Sequence, residues 1–136
     1  MKIGQLAKAT DTLTETIRFY ERQGLLPPPA RTTSNYREYA AEHIQRLAFI
    51  RHCRSLDMTL AEIGTLLRFK DAPGAGCGDV DALIQGHIEQ VVTRIRALRS
   101  LEADLRALRK SCSAGRVAAD CGILTGLRKA AESRLA

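Results

Sequence analysis

The strongest constraint in this sequence is a long apolar stripe in its second half. Ile84, Ile88, Val91, Ile95 and Leu98 alternate steps of four and three, the spacing of a coiled-coil seam. A three-residue step to Leu101 shifts the phase, and the stripe resumes through Leu105, Leu108 and Cys112. Asp79 and Asp81 stand at the start of this segment and Arg109 and Lys110 at its end, which suits the dipole of one helix over about residues 79–111. A single helix of that length has nothing of its own to cover such a stripe. The spacing therefore predicts a second helix against it, and with one chain type the simplest partner is another copy.

The whole chain has 136 residues, about one ordinary domain. That is too short for most barrel or doubly wound enzymes, and the composition, 45% hydrophobic and 26% charged, is neither disordered nor fibrous. No apolar run approaches the roughly 20 residues that cross a bilayer, and the start Met1-Lys2-Ile3-Gly4-Gln5 lacks the apolar core of a signal peptide. A cytoplasmic location with no membrane association is expected. The net charge of +6 is shared evenly: residues 1–76 carry 11 basic and 8 acidic side chains, and residues 77–136 carry 10 and 7. Placement must identify a charged surface where the total does not.

Turn formers at Lys70-Asp71-Ala72-Pro73-Gly74-Ala75-Gly76 separate the long helix from a first part that reads as short helices and one hairpin. Ile3 to Ala9 predicts a helix burying Ile3, Leu6 and Ala7. Thr12-Leu13-Thr14-Glu15 has the capping-box pattern and predicts a second helix to about Gln23, with Gly24 at its C′ position. Leu13, Ile17 and Tyr20 share one face of it, and Thr14, Arg18 and Arg22 another that can meet a ligand. Two such helices joined by a tight turn, the second basic outside, form a helix-turn-helix pattern.

Beyond Pro27-Pro28-Pro29, the segment from Ala30 to Tyr39 reads as a small β-hairpin whose tip presents Arg31, Asn35 and Arg37, side chains suited to phosphate. A helix from about Glu42 to Ser55 follows. The capping box Thr59-Leu60-Ala61-Glu62 opens another, with Ile63, Leu66 and Leu67 inward. The expected organisation is a winged helix-turn-helix domain over 1–72, a linker over 73–78, a dimerisation helix over 79–111 and a loop with a short helix over 112–136.

Four cysteines in a chain of this kind point to metal or redox chemistry before disulfides. Cys53 lies among Phe49, Ile50 and Leu56 and reads as packing. Cys112 and Cys121 flank a loop-like segment that can bring their sulfurs together, whereas Cys77 is separated from them by a helix about 50 Å long. In an antiparallel dimer, Cys77 of the partner subunit meets Cys112 and Cys121, which gives two three-thiolate sites per dimer. Three thiolates form a soft, anionic site; zinc usually completes a tetrahedron, whereas larger thiophilic ions accept three sulfurs. The same cysteines also read as small core residues or as a redox pair. His43 and His52 are expected at the surface or partly buried. His87 lies beside the stripe, as packing or an auxiliary ligand. No acid, base and nucleophile can be assembled, so an enzyme is not expected.

Ile3-Gly4-Gln5-Leu6-Ala7, Thr16-Ile17-Arg18-Phe19-Tyr20-Glu21 with Gly24-Leu25-Leu26, and Asn35-Tyr36-Arg37-Glu38-Tyr39 resemble the MerR family of bacterial transcription regulators over nearly the whole chain. Within it, the surroundings of Cys53, Cys77-Gly78-Asp79-Val80 and Cys121-Gly122-Ile123-Leu124 are most similar to the lead- and cadmium-responsive branch. The three-cysteine set is also similar to that of the mercury sensors.

The resemblance implies a mainly α fold: an N-terminal winged helix-turn-helix domain, a long antiparallel coiled-coil dimerisation helix, and a C-terminal metal-binding loop with a short helix. It implies DNA contacts from Thr14, Arg18 and Tyr20 on the helix and from Arg31, Asn35, Arg37 and Tyr39 on the wing. It also implies metal ligation by Cys77 of the partner subunit with Cys112 and Cys121, the ion being Pb(II) or Cd(II), with Hg(II) or Zn(II) as alternatives. The implied partners are a second copy, double-stranded promoter DNA and RNA polymerase, and the implied mechanism is activation by DNA distortion on metal binding. A thiol redox sensor and a metal-buffering protein are the remaining readings. Two departures bear on the metal: Thr12 stands where some lead and cadmium members carry a further cysteine, and Arg134-Leu135-Ala136 replaces the histidine-rich tail of some cadmium sensors, so no second metal site is expected.

Overall fold

The computed structural model describes residues 1–112 and 117–135. It divides into two compact units, Met1–Ile84 and Gln85–Ala136. The first comprises helices α1 (Ile3–Thr10) and α2 (Thr14–Arg22), strands β1 (Ala30–Arg31) and β2 (Arg37–Glu38), and helices α3 (Ala41–Ser55) and α4 (Leu60–Lys70). Helix α5 (Gly78–Lys110) contributes its first turns to this unit and the rest to the second. The second unit adds a 3₁₀ turn at Ala118–Asp120 and helix α6 (Gly122–Ser133).

Burial of apolar faces explains how the helices of the first unit pack. Leu6 of α1, Ile17 of α2, Leu47, Ile50 and Cys53 of α3, and Ile63 and Leu67 of α4 form one core with Leu25, Leu26, Tyr39 and Met58, and Ile84 packs against it. At roughly 25 cal/mol per Å² of apolar area removed from water, this cluster is what holds such short helices together. Cys53 belongs to it as small packing, and burial pushes its thiol pKa up.

Two arginines of α3 clasp the ends of the other helices. Arg51 donates to the carbonyls of Thr10 and Asp11 and to the Asp11 carboxylate at 2.8 Å, holding the turn between α1 and α2. Arg46 donates to the Leu25 carbonyl at 2.7 Å and makes a bidentate pair with Asp71 at the end of α4. That pair holds the Asp71 carboxyl below its usual range, chiefly through the hydrogen bond.

The capping box expected at Thr59 is present: its hydroxyl accepts from the Glu62 N–H at 3.1 Å, and Glu62 accepts from the Thr59 N–H at 3.0 Å. The one expected at Thr12 does not form. Helix α2 begins one residue later with Leu13 as N-cap, and the Thr12 hydroxyl donates instead to the Thr10 carbonyl. Leu13 is consequently 74% exposed and not on the buried face. The far end of α2 behaves as expected. Gly24 has φ +74°, and the N–H groups of Gly24 and Leu25 return to Glu21 and Tyr20, closing the helix in a Schellman motif.

A second correction concerns His43, which is fully buried at 1% exposure and neither at the surface nor partly buried. Its Nδ1 accepts from the Ala40 N–H at the start of α3, so Nε2 carries the proton and faces the Pro27 carbonyl at 3.1 Å. The imidazole thus joins the start of the wing segment to the helix that follows it. His52 is exposed, and His87 is buried within α5.

Along α5 the side chains of Ile88, Val91, Ile95, Leu98, Leu101 and Leu105 are exposed on the chain. Among the described residues, no helix is long and apolar enough to cross a membrane.

Candidate DNA-binding surface and metal centre

The first candidate surface is built on α2 and the hairpin. Arg18 is exposed on α2, while Thr14 and Tyr20 are half-buried. Glu15 stands in the first turn and Arg22 in the last, favourable to the helix dipole. Arg22 also lies over the Phe19 ring, 5.9 Å from its centroid.

In the hairpin, Ala30 pairs with Glu38 and Arg31 with Arg37, antiparallel. The turn is closed by the Thr32 N–H to the Tyr36 carbonyl and the Asn35 N–H to the Thr32 carbonyl. Asn35 takes φ +67°, a conformation asparagine tolerates better than most residues, and its carbonyl accepts from Arg31 at 3.1 Å. Arg31, Asn35 and Arg37 are exposed together on this wing.

Tyr39 sits differently. Its side chain is 2% exposed and its hydroxyl donates to Glu21 of α2 at 2.5 Å. Burial, reinforced by the Glu21 carboxylate, pushes the phenol pKa up to about 12. Arg37 reaches the other Glu21 oxygen at 3.5 Å. Glu21 therefore ties the base of the wing to α2, a role that the residue-by-residue reading missed. Helix α2 carries Glu15 as well as Glu21 beside Arg18 and Arg22, so charge alone did not single Glu21 out. Lys2 was also missed; its ammonium lies 5.9 Å from the ring centroid of the exposed wing residue Tyr36.

The second candidate site lies in the second unit. Helix α6 begins at Gly122, with Cys121 as its N-cap residue, and brings the Cys121 sulfur within 3.4 Å of the Cys112 sulfur at the end of α5. The backbone N–H of Leu124 is the largest influence lowering the Cys121 thiol pKa, followed by Cys112 and the Ile123 N–H. A lowered thiol pKa is the expected result at a helix N-terminus. Two sulfurs bound to one tetrahedral zinc at about 2.3 Å would lie roughly 3.8 Å apart, so this pair needs little movement to chelate a soft ion. Cys77 is exposed as the residue preceding α5, where its carbonyl accepts from the Asp81 N–H. Among the described residues, no three His, Cys, Asp or Glu side chains of one chain gather as a metal site. The segment 113–116 between the paired cysteines lies outside the described residues.

Residues 1–70 match the model of the MerR HTH family regulatory proteins, and residues 44–108 match a second model described as MerR, DNA binding. The chain belongs to the MerR family. MerR regulators of this kind are DNA-binding transcription factors and not enzymes. The chain is 53% identical to the transcription regulator PbrR691 from Ralstonia metallidurans CH34, solved in complex with lead(II), covering 93% of this chain and 98% of that one with a TM-score of 0.83. It is 48% identical to a Haemophilus influenzae protein named as a homolog of the regulator ZntR, over 81% of this chain and 82% of the relative. It is 37% identical to the mercuric resistance operon regulatory protein of Bacillus cereus, over 94% and 97% of the two chains.

Proposed function

We propose that this MerR-family chain is a lead(II)- or cadmium(II)-responsive regulator that binds promoter DNA as a homodimer and activates transcription by distorting that DNA when metal binds. The observation that carries the metal reading is the 3.4 Å approach of Cys112 and Cys121, with the Cys121 thiol pKa lowered by the start of α6. The likeness to a lead(II)-bound regulator at 53% identity supports lead over the other ions.

The pair supplies two thiolates, and Cys77 of the partner subunit would supply the third. Along one chain, the 33 helical residues of α5 hold Cys77 about 50 Å from Cys112, whereas an antiparallel α5 pair sets the start of each helix beside the end of the other. Such a pair also covers the exposed Ile88, Val91, Ile95, Leu98, Leu101 and Leu105. A bound ion would bridge the two chains and so couple metal occupancy to their relative placement.

On the DNA side, Thr14, Arg18 and Tyr20 would face the groove, with Arg31, Asn35 and Arg37 on flanking phosphates. Tyr39 would act from beneath, holding the wing to α2 through Glu21. Two such surfaces in a dimer suit a pseudo-palindromic operator, and bending it would carry the regulation as deformation energy, realigning promoter elements for RNA polymerase.

The test is competitive titration of the reduced dimer with lead(II), cadmium(II), mercury(II) and zinc(II), for wild type and for Cys77→Ser, Cys112→Ser and Cys121→Ser. Two ions per dimer and comparable loss of tight binding in all three variants are expected. Retained tight binding in Cys77→Ser would overturn the cross-chain site. The same short sulfur separation favours a second reading, a redox sensor in which a peroxide takes two electrons and the two thiols close to a disulfide of about 2.05 Å. Switching of transcription by peroxide alone, with no metal-dependent response, would select it.

A further inference from the structure

The approach of the two sulfurs depends on how closely α6 can come to the end of α5. A methyl-sized Cβ placed on Gly122 would overlap the Ser111 carbonyl oxygen and lie 2.9 Å from the Ser111 carbonyl carbon. Both atoms are backbone, so no side-chain rotation relieves the overlap. The hydrogen that glycine carries in that direction leaves the carbonyl the room a Cβ would take. Gly122 follows Cys121 directly and Ser111 precedes Cys112 directly, so this contact sits beside the sulfur pair on both chain segments. Gly126, one turn further along α6, differs: a Cβ there would meet only the Leu108 Cδ1 atom at 3.5 Å, ordinary van der Waals contact.

We infer that Gly122 is a positioning residue that sets the separation of the Cys112 and Cys121 sulfurs and through it the size of ion the thiolate pair accepts. The inference rests on the proposed metal reading for the ion but not for the sulfur spacing, and the two are tested separately. Any side chain at 122 forces the segments apart by on the order of 1 Å, because overpacked backbone can only retreat. The pair would then open from 3.4 Å to beyond the roughly 3.8 Å span that zinc bridges, while the larger lead(II) ion loses less.

The experiment compares full-length wild type, Gly122→Ala and Gly126→Ala. Both substitutions add the same methyl group to α6, and only the first creates the backbone overlap. In metal-free reduced protein, phenylarsine oxide captures neighbouring thiols: two As–S bonds form, the two thiol protons leave with the oxide as water, and arsenic remains trivalent. Capture at Cys112 and Cys121, followed by peptide mapping, reports the spacing without any metal. Gly122→Ala is expected to slow capture at least about 10-fold, with Gly126→Ala like wild type, in line with the effect of groups that orient metal ligands. Zinc(II) and lead(II) titrations of the same proteins are expected to show zinc affinity falling about 10-fold more than lead affinity in Gly122→Ala.

Capture by Gly122→Ala within twofold of wild type, or slowed equally in both variants, overturns the positioning role. Slowed capture with equal losses for zinc and lead overturns the size selection. Rapid arsenical capture by a wild type that binds neither ion tightly would instead refute the metal reading, while the capture comparison still decides whether Gly122 sets the spacing.

Discussion

Tyr39→Phe isolates the bond between wing and helix. Phenylalanine keeps the buried ring and removes only the hydroxyl that donates to Glu21 at 2.5 Å. The Glu21 side chain is 13% exposed, so its carboxylate loses a partner in a place where water replaces it poorly. Hydrogen bonds to charged groups contribute about 1.5–3 kcal/mol, and the more exposed Arg37 at 3.5 Å compensates little. A loss of about 2 kcal/mol is expected, a fall on the order of 10 °C in the Tm of a unit of this size.

The pH dependence gives a second test of the same side chain. The Tyr39 pKa is raised from about 10 unfolded to about 12 folded, so the protonated phenol's contribution is complete below pH 10. It is lost as pH rises through 12, by roughly 3 kcal/mol, chiefly because burial disfavours the phenolate. Phenylalanine has nothing to titrate, so the stability gap between wild type and Tyr39→Phe should close between pH 10 and 12. Urea denaturation followed by circular dichroism across pH 7–12 measures this. A variant within 0.5 kcal/mol of wild type at pH 7, or a gap independent of pH, would refute the argument.

Three further outcomes are expected. Gly24→Ala should cost about 1 kcal/mol in urea denaturation, since a side chain must take φ +74°. Arg46→Ala should destabilise the first unit by about 1 kcal/mol through its bond to the Leu25 carbonyl. Because Asp71 is held below its usual pKa by Arg46, the ion-pair part is present above about pH 4 and lost as pH falls through the depressed value, so wild type and Arg46→Ala should converge in acid. Leu98→Glu, in the exposed stripe of α5, should shift sedimentation toward monomer by burying like charges across the proposed dimer axis; an unchanged dimer would remove the coiled-coil reading.

Much of this protein was legible before any coordinates, because its signals are local. The 59–62 capping box, Gly24, the hairpin at 30–38 and the stripe of α5 each depend on neighbours within a few residues, where sequence spacing and spatial distance coincide. The family motifs are likewise contiguous runs. At Thr12 the local signal misled: its hydroxyl had two acceptable uses, and the turn held by Arg51, some 40 residues away, accompanies the one adopted.

What only the tertiary structure decided concerns groups far apart in sequence whose environment is set by packing. Tyr39 reads as one more polar wing residue until its hydroxyl is found on Glu21, 18 positions earlier. His43 reads as surface or partly buried until Ala40 and Pro27 occupy both ring nitrogens. The sequence by itself determined that Cys112 and Cys121 could meet, since a short loop joins them. How closely they meet depends on a hydrogen at Gly122 facing the Ser111 carbonyl, a contact eleven residues apart that no spacing rule anticipates. Periodicity determines which face of a helix is apolar; only the packed backbone determines how near two chain segments come, because steric overlap depends on distances of tenths of an ångström.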